Sequence, residues 1–192
     1  MKIRHSTDAD RNAITDIHAN AFGQEQGPEI IELIADLFTD ATAEPVLSLI
    51  ADLDGIAVGH VLFTMVTVES DRADVTARIL APLAVKQEFQ KKGVGTALIK
   101  AGLTELTDTG VDLVFVLGDP AYYSRLAFRP AGVLGLTAPH PIPAEHADAW
   151  MVQSLRAGIL GIVTGSVRCS DVLNDPRHWL EDDSELVIPE EN

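Results

Sequence analysis

The chain has 192 residues, and its 29 acidic and 14 basic side chains give a formal net charge of −15. A surface this acidic repels phosphate backbones and anionic lipid headgroups, so nucleic-acid and membrane partners are not expected. Neutral or cationic ligands are compatible with it, and acidity can also serve solubility alone. The length favours one domain, and a hydrophobic content of 46% is enough to fill its core.

Cysteine content and the N-terminus bear on the compartment. Cys169 is the only cysteine in the sequence, so no internal disulfide can form. Residues 1–6 lack the apolar region of a signal peptide, and no apolar run approaches the length of about 18 residues that indicates a transmembrane helix. We therefore expect a reduced, cytoplasmic protein, and we expect no metal site.

The N-terminal part begins with a short strand pattern, which two helical patterns follow. Apolar residues recur at helical spacing within residues 14–22 and again within residues 30–38. Residues 23–27 break the periodicity, and Pro28 suits the first turn of the second helix. His18 lies on the apolar side of the first helix, where we expect a partly buried histidine with satisfied hydrogen bonds.

Three strand patterns come next, over residues 46–53, 56–68 and 76–85. Asp54-Gly55 separates the first two and is a strong hairpin signal, because both residue types tolerate positive φ. The three strands are therefore predicted to form an antiparallel meander. His60 falls within the second strand, where a structural role is again the expected interpretation.

Pro82 interrupts the third of these strands. Proline cannot donate a ladder hydrogen bond, so it indicates an edge, a bulge or a place where the strand separates from its neighbour. A strand that stops pairing leaves backbone groups free for a ligand that lies alongside it. The sequence therefore predicts an open strand edge at this point of the chain.

Gly93 and Gly95 lie between this strand and a helical pattern that ends at Gly110. Glycines at a strand-to-helix turn let a ligand approach the backbone closely, and the first N–H groups of a helix attract anions. Together they predict a phosphate-binding turn. The turn lacks the Gly-Lys-Ser/Thr of a P-loop and the third glycine of a dinucleotide fingerprint. A purely structural turn remains as the alternative.

The apolar run 111–117 follows the helix and is typical of a central strand covered on both faces. Strand, helix and strand therefore form a parallel βαβ unit, which is right-handed in nearly all proteins. A short helix over residues 121–126, a loop-rich segment and a strand over residues 149–155 complete the pattern.

We assign residues 1–155 to one domain and residues 156–192 to a C-terminal extension packed on it. The extension ends with Glu181-Asp182-Asp183 and Glu190-Glu191. These like charges repel one another, so we expect the acidic end to be solvated or frayed.

Two motifs resemble the GCN5-related N-acetyltransferases, the GNAT family. Gln90-Lys91-Lys92-Gly93-Val94-Gly95 is similar to the family's Gln/Arg-x-x-Gly-x-Gly/Ala signature, which follows a strand such as Leu83-Ala84-Val85. Tyr123-Ser124-Arg125-Leu126-Ala127-Phe128 resembles its Tyr-x-x-x-Gly-Phe segment, and residues 118–123 resemble a bacterial subgroup of largely uncharacterised acetyltransferases. The resemblance covers residues 1–155, and the element order inferred above, β-α-α-β-β-β-α-β-α-β, is the family's order.

The resemblance implies the GNAT fold, which is an α/β (α+β) architecture. It has a mixed central sheet with an antiparallel N-terminal meander, a βαβ crossover and flanking helices. It also implies acetyl-CoA as cosubstrate, with the pyrophosphate on backbone N–H groups of the glycine turn and the pantetheine arm along residues 83–85. The expected cofactor-binding residues are Leu83, Ala84, Val85, Gln90, Lys91, Lys92, Gly93, Val94, Gly95, Thr96 and Ser124.

The implied chemistry has one assigned residue. Tyr123 matches the family tyrosine that protonates the departing thiolate, whereas its neighbour Tyr122 is expected to pack in the core or at the rim. A backbone N–H at the strand separation would polarise the acetyl carbonyl.

Two positions depart from the family pattern. Ala127 replaces the usual glycine, and the asparagine that many members place before the tyrosine has Asp119 as its nearest polar counterpart. The base that deprotonates the acceptor is left open: a carboxylate or a chain of waters could take the proton, and five residues are options that each also suit an ordinary surface or core role. These candidates are Glu25, Glu29, His60, Glu69 and Asp71.

The expected function is direct transfer of an acetyl group from acetyl-CoA to a primary amine on a small molecule or a peptide. Cys169 lies outside both motifs, which argues against a covalent acyl-cysteine. The alternative is a non-catalytic acyl-CoA-binding regulatory module, and a homodimer is one option for its assembly.

Overall fold

The computed structural model describes residues 1–70 and 74–179. Its helices are α1 (Arg11–Leu37), α2 (Val94–Asp108) and α3 (Pro120–Tyr123). Its strands are β1 (Lys2–His5), β2 (Leu47–Leu53), β3 (Ile56–Glu69), β4 (Ala77–Val85), β5 (Leu113–Leu117), β6 (Arg129–Pro130), β7 (Leu136–Thr137), β8 (Trp150–Ser154) and β9 (Gly165–Cys169). Within these described residues, no helix combines the length and apolar content needed to cross a bilayer.

The two predicted N-terminal helices are the halves of α1, which a break at Gly23 divides. Gly23 has φ 69° and ψ −160°, a conformation that L side chains rarely adopt. The prediction that the second half starts at Pro28 was wrong, because helical backbone resumes directly after Gly23. Gln24, Glu25 and Gln26 are good helix formers, and Pro28 is tolerated inside the helix one turn later.

The predicted meander is confirmed. β2 and β3 are joined by Asp54 and Gly55, which both have positive φ (54° and 85°), as a two-residue hairpin turn requires. β3 pairs antiparallel with β4 on its other edge. The long strand β3 is therefore central, with β2 on one side and β4 on the other.

A bulge in β4 is the main irregularity of the sheet. Val61 of β3 lies opposite Leu83, whereas Phe63 lies opposite Leu80, so two residues of β4 face a single residue of β3. Pro82 is one of the two, as expected for a residue that cannot donate to the ladder. On the other edge of β4, pairing with β5 ends at Ile79. The predicted separation of the strand from a neighbour is thus confirmed.

The helix α2 connects β4 to β5, and these two strands are parallel, which confirms the predicted βαβ unit. The strand order is β1-β2-β3-β4-β5-β8-β6, and β9 pairs with both β3 and β7. The sheet mixes parallel and antiparallel pairs, as predicted.

The core lies on both faces of this sheet. On one face, α2 places Leu98 and Ile99 against side chains that include Phe63 of β3. On the other face, the second half of α1 contributes Leu33 and Leu37. Both faces are covered by helices in the part of the sheet that includes the separation of β4 and β5.

Three strands were not predicted, the two-residue strands β6 and β7 and the longer strand β9. β9 lies in the segment assigned to the C-terminal extension, and its residues pair antiparallel with Val66–Glu69 of β3. Gly165 and the alternating polar residues of this segment gave only a weak strand pattern. The division at residue 155 remains a prediction, and the acidic residues 181–183 and 190–191 lie outside the described residues.

Gly102 of α2 supplies a test of the packing on the first face. A Cβ at this position would overlap the ring of Phe63, which is fully buried. Overpacking of this kind costs about 1–3 kcal/mol, against the roughly 1 kcal/mol that alanine gains over glycine in a helix. We expect Gly102→Ala to lower the free energy of unfolding in urea.

The matched control for this substitution is Gly132→Ala. Nothing lies within 4 Å of a Cβ built at Gly132, so the added methyl group should be tolerated. A Gly102→Ala variant as stable as this control would contradict the described contact between α2 and β3.

Candidate cofactor and acetyl-transfer site

A groove of about 400 Å³ opens where β4 turns into α2. It lies between this turn and the segment that contains α3. Its lining is formed by Val85, Phe89, Gln90, Lys91, Gly93, Val94, Gly95, Thr96, Lys100, Tyr122, Arg125 and Leu126. Seven of the predicted cofactor-binding residues are among them, from Val85 at the end of β4 to Thr96 in the first turn of α2.

The backbone at this turn is shaped to receive an anion. Lys91 and Gly93 both have positive φ, 57° and 81°, so the chain curls tightly before α2 begins. The first backbone hydrogen bond of the helix runs from Ala97 N–H to the Gly93 carbonyl. The N–H groups before it have no acceptor within the helix, and the helix dipole adds positive potential there. This geometry suits a phosphate group.

The charged side chains at the groove also favour an anionic ligand. Its three charged lining residues, Lys91, Lys100 and Arg125, are all basic, although the chain as a whole carries a net charge of −15. The Arg125 guanidinium also lies over the ring of Tyr122, 5.4 Å from its centre. Phe89 and Leu126 add apolar surface. A ligand with phosphates and a flat ring system fits this combination.

Two of the predicted ligands are engaged within the turn itself. The Gln90 side chain donates from Nε2 to the Val85 carbonyl at 3.0 Å, so it ties the turn to the end of β4. Lys92 donates from Nζ to the Glu88 carbonyl at 2.9 Å and is not part of the groove lining. Their roles as cofactor ligands therefore remain predictions.

The two tyrosines are both buried and lie next to each other at the groove. Tyr122 packs in the core, as expected, and also lines the groove, where its hydroxyl lies 3.5 Å from Thr96 Oγ1. Tyr123 is buried beneath it, with its ring packed edge-on against Tyr122 and Phe128. A Cβ at Gly118 would overlap the Tyr123 ring, so glycine is required there. Ser124 lies outside the groove lining.

The residues that depart from the family pattern have local roles. Asp119 accepts a hydrogen bond from Ala121 N–H at 2.8 Å and caps α3. Ala127 adopts positive φ (65°), the conformation in which glycine is more common. The methyl group of Ala127 is therefore accommodated at some cost in backbone strain.

Helix α1 is fastened to the end of β4 next to the groove. Lys86 Nζ lies 2.5 Å from a carboxylate oxygen of Asp16, and Gln87 N–H donates to the side-chain oxygen of Asn20 at 2.8 Å. Lys86 and Gln87 directly follow the last residue of β4. The first half of α1 therefore stands over the end of the strand whose edge is open.

Leu83 and Ala84 occupy this open edge of β4, upstream of the groove lining. They pair with β3 on one side, and pairing with β5 has already ended at Ile79. Their outward backbone groups are positioned to bond an extended ligand as an added strand would. Their contact with the cofactor remains a prediction.

His18 and His60 form a buried pair under α1. Both side chains are fully buried, and His18 Nε2 lies 2.9 Å from His60 Nδ1. His60 Nε2 lies 2.9 Å from Ser48 Oγ, whereas His18 Nδ1 has no hydrogen-bond partner in residues 1–70 and 74–179. The expectation of a satisfied, partly buried His18 was therefore wrong on both counts.

Three of the other candidate bases, Glu25, Glu29 and Glu69, are exposed. Glu25 and Glu29 are exposed after the break in α1, and Glu29 Oε1 lies 3.7 Å from His178 Nδ1. Glu69 ends β3, opposite Ser166 of β9. Asp71 lies outside the described residues. Glu25, Glu29 and Glu69 do not line the groove described above.

The mixed sheet, with the open edge of β4 beside the basic start of α2, indicates the class of protein, an acetyl-CoA-dependent acetyltransferase. The family model described as an acetyltransferase (GNAT) domain matches residues 2–131. The chain belongs to the GNAT family, which confirms the predicted family and the predicted fold class.

Relatives and solved structures agree with this membership. The uncharacterized N-acetyltransferase YjhQ of Escherichia coli K12 is 44% identical over 169 residues, 87% of this chain and 91% of that protein. The structure of YhbS from Escherichia coli in complex with CoA has a TM-score of 0.78 at 31% identity and covers 90% of this chain and 91% of its own. A GNAT family acetyltransferase from Brucella melitensis, in complex with acetyl-CoA, has a TM-score of 0.68 at 24% identity, with 90% and 97% covered.

The buried histidines make the stability depend on pH. Burial lowers the pKa of His60 from 6.5 to about 3, so below pH 6.5 the unfolded chain binds a proton that the folded chain does not. The stability this residue confers is present above pH 6.5 and is lost progressively as the pH falls toward 3. Between pH 6.5 and pH 5 the loss amounts to about 2 kcal/mol.

We therefore expect urea unfolding of the wild-type protein to show a steeper loss of stability between pH 7 and pH 5 than that of His60→Gln. Glutamine has no proton to gain in this range, so the difference between the two proteins should shrink by about 2 kcal/mol as the pH falls. Parallel pH dependences would contradict the burial of a neutral His60.

Proposed function

We propose that this protein transfers the acetyl group of acetyl-CoA directly to a primary amine. Membership of the GNAT family makes acetyl-CoA the cosubstrate, and solved relatives hold CoA or acetyl-CoA. The observation that carries the proposal is the separation of β4 from β5 after Ile79, next to the basic turn that opens α2. A cofactor bound there would have its phosphates at the turn and its acyl group at the diverging strands.

The roles proposed for the site residues follow from their positions. The N–H groups from Lys91 to Thr96 bind the pyrophosphate, helped by Arg125. The pantetheine arm lies along Leu83, Ala84 and Val85, where the outward edge of β4 is open. A backbone N–H at this edge polarises the acetyl carbonyl and stabilises the oxyanion that forms when the amine attacks.

Direct transfer is supported by the burial of Cys169, whose side chain is the one thiol of the sequence. Cys169 is the last residue of β9 and is buried in the core, and burial raises its pKa to about 12. A thiol that stays protonated at neutral pH is a poor nucleophile. We therefore propose attack of the amine on bound acetyl-CoA in a ternary complex. With a single protected thiol and no internal disulfide to form, we place the reaction in the reducing cytoplasm.

The test begins with binding. Titration calorimetry with CoA should show a one-to-one complex, weakened about 3- to 10-fold in Arg125→Gln, because a charge-assisted contact to phosphate is lost. Arg129→Gln is the matched control, because Arg129 is exposed on β6 and is not among the groove residues. Equal binding by both variants would contradict the assignment of the groove.

The second part measures turnover. Acetyl-CoA and a panel of primary amines (spermidine, lysine, an aminoglycoside and a peptide with a free N-terminus) are followed by thiol release and by the mass of the acetylated product. We expect at least one amine to be acetylated, with no acetylated protein intermediate in the intact mass. CoA binding without turnover on broad amine and peptide panels would favour the alternative, a non-catalytic acyl-CoA-binding regulatory module.

The two tyrosines give a separate prediction about the acid. We keep the proposal that Tyr123 protonates the departing thiolate, and Tyr122, which lines the groove, is the matched comparison. Loss of a general acid typically costs a factor of about 10²–10⁴ in kcat. Tyr123→Phe should show such a loss with the KM for acetyl-CoA unchanged, whereas Tyr122→Phe should retain kcat. The reverse pattern would transfer the role of acid to Tyr122.

A further inference from the structure

A chain of four polar side chains runs from the protein surface to the interior beneath α1. It begins at Ser6, after β1, whose Oγ lies 2.5 Å from Ser48 Oγ of β2. Ser48 Oγ lies 2.9 Å from His60 Nε2, and His60 Nδ1 lies 2.9 Å from His18 Nε2. Every ring nitrogen along this path is paired except the last, His18 Nδ1. A buried imidazole nitrogen without a partner in the described residues calls for an explanation.

The inner end of this chain lies beside the open edge of β4. His60 is directly opposite Ala84 in the ladder between β3 and β4, so the two side chains share one face of the sheet. His18 contacts His60 on this face, and it belongs to the same turn of α1 as Asp16 and Asn20, which project from the other side of the helix. These two residues hold the segment that follows β4 through Lys86 and Gln87. The histidine pair therefore lies between β4 and the turn of α1 that is fastened beside the proposed acetyl end of the site.

We propose that His18, His60, Ser48 and Ser6 form a proton relay that carries away the proton lost by the acceptor amine. The inference rests on the proposed function, since it needs an amine that attacks acetyl-CoA. His18 Nδ1 is the end at which the proton enters, and His60 is a positioning residue that acts through His18. The relay gives the reaction the base that no carboxylate in the groove lining supplies.

Each of the four side chains gains one proton and gives up one proton as the reaction proceeds. As the amine nitrogen bonds to the acetyl carbon, its N–H bond breaks and the proton goes to His18 Nδ1. The proton on His18 Nε2 moves to His60 Nδ1, and that on His60 Nε2 moves to Ser48 Oγ. Ser6 Oγ donates to Ser48 Oγ in the resting structure, so the two serine hydroxyls must rotate before they pass one proton outward to bulk water at Ser6, which is only partly buried. The thiolate that leaves takes its proton separately, from the tyrosine.

The residues around His18 and His60 favour neutral rings that pass a proton on over a charged ring that keeps it. Burial lowers the pKa of both histidines, and the positive charge of Arg11 on α1 adds to this effect at His60. The Arg11 guanidinium lies over the Phe38 ring, and Phe22 stacks on His18. From β4 the facing residue is the apolar Ala84, and the charged pair Asp16–Lys86 lies at its end. Neutral imidazoles are therefore favoured, and a neutral imidazole conducts a proton by exchanging tautomers.

The competing interpretation is a structural brace that fastens α1 to β2 and β3. Substitution by glutamine distinguishes the brace from the relay, because its amide can accept one hydrogen bond and donate another but cannot exchange tautomers. His18→Gln and His60→Gln therefore keep much of a brace and abolish a relay. Thr64→Val is the matched control, because Thr64 is buried in the same strand as His60 and its hydroxyl also has no partner in the described residues.

The experiment uses the amine of the panel that the wild-type protein acetylates fastest, and it measures kcat and KM between pH 6 and pH 10. Both glutamine variants should lose kcat by a factor of about 10²–10⁴ at pH 7, with the KM for acetyl-CoA and the CoA affinity unchanged. The deficit should narrow as the pH rises, because hydroxide can then remove the proton. Thr64→Val should follow the wild-type profile.

The possible outcomes distinguish failure of the relay from failure of the proposed acetyl transfer. Glutamine variants with wild-type kcat and pH profile would overturn the relay and leave the acetyltransferase intact. A pH-independent loss of kcat, or a loss accompanied by weaker CoA binding, would make the pair a brace. A wild-type protein that binds CoA but acetylates no amine would overturn the proposed reaction and the relay with it.

Discussion

The separation of β4 from β5 is the constraint on which the rest of the site depends. β4 carries one extra residue relative to β3 at Ala81 and Pro82, and its pairing with β5 ends at Ile79, just before this bulge. A regular sheet would satisfy the backbone groups of Leu83 and Ala84 with a neighbouring strand. Because the strands diverge, these groups lie at an open edge that ends at the glycine-containing turn before α2, the proposed phosphate site.

The two faces of the sheet carry different parts of the candidate site at this edge. On one face, α2 and α3 build the groove, with its basic side chains and Tyr122. On the other face, α1 is fastened to the residues after β4 and covers the buried histidine pair. A cofactor entering from the first face and an acceptor approaching from the second would meet at the diverging strands.

Much of the fold could be predicted from local sequence signals. Asp54-Gly55 marked the hairpin, Pro82 marked the irregular strand, and Gly93 marked the turn before α2, since each residue type is tied to a backbone conformation. The strand β9 escaped prediction because its pairing with β3 is set by contacts far apart in the chain. The restart of α1 after Gly23 was misplaced because Pro28 was treated as a start signal, although the residues before it favour helix.

The candidate site was only partly predictable. The resemblance to the GNAT family marked eleven residues as cofactor ligands, and seven of them, between Val85 and Thr96, line the groove. It could not assign the side chains that reach the groove from elsewhere, such as Lys100 and Arg125. Nor could it pair His18 with His60, which are 42 positions apart and meet only because α1 packs across β3. Isolated histidines in apolar patterns gave no signal of that contact.

A crystal structure of the protein with CoA would test the central claim most directly. The account predicts the pyrophosphate within hydrogen-bond distance of the N–H groups between Lys91 and Thr96. It also predicts pantetheine amides bonded to the backbone of Leu83–Val85, with the thiol between β4 and β5. CoA bound elsewhere, or bound with β4 fully paired to β5, would contradict it.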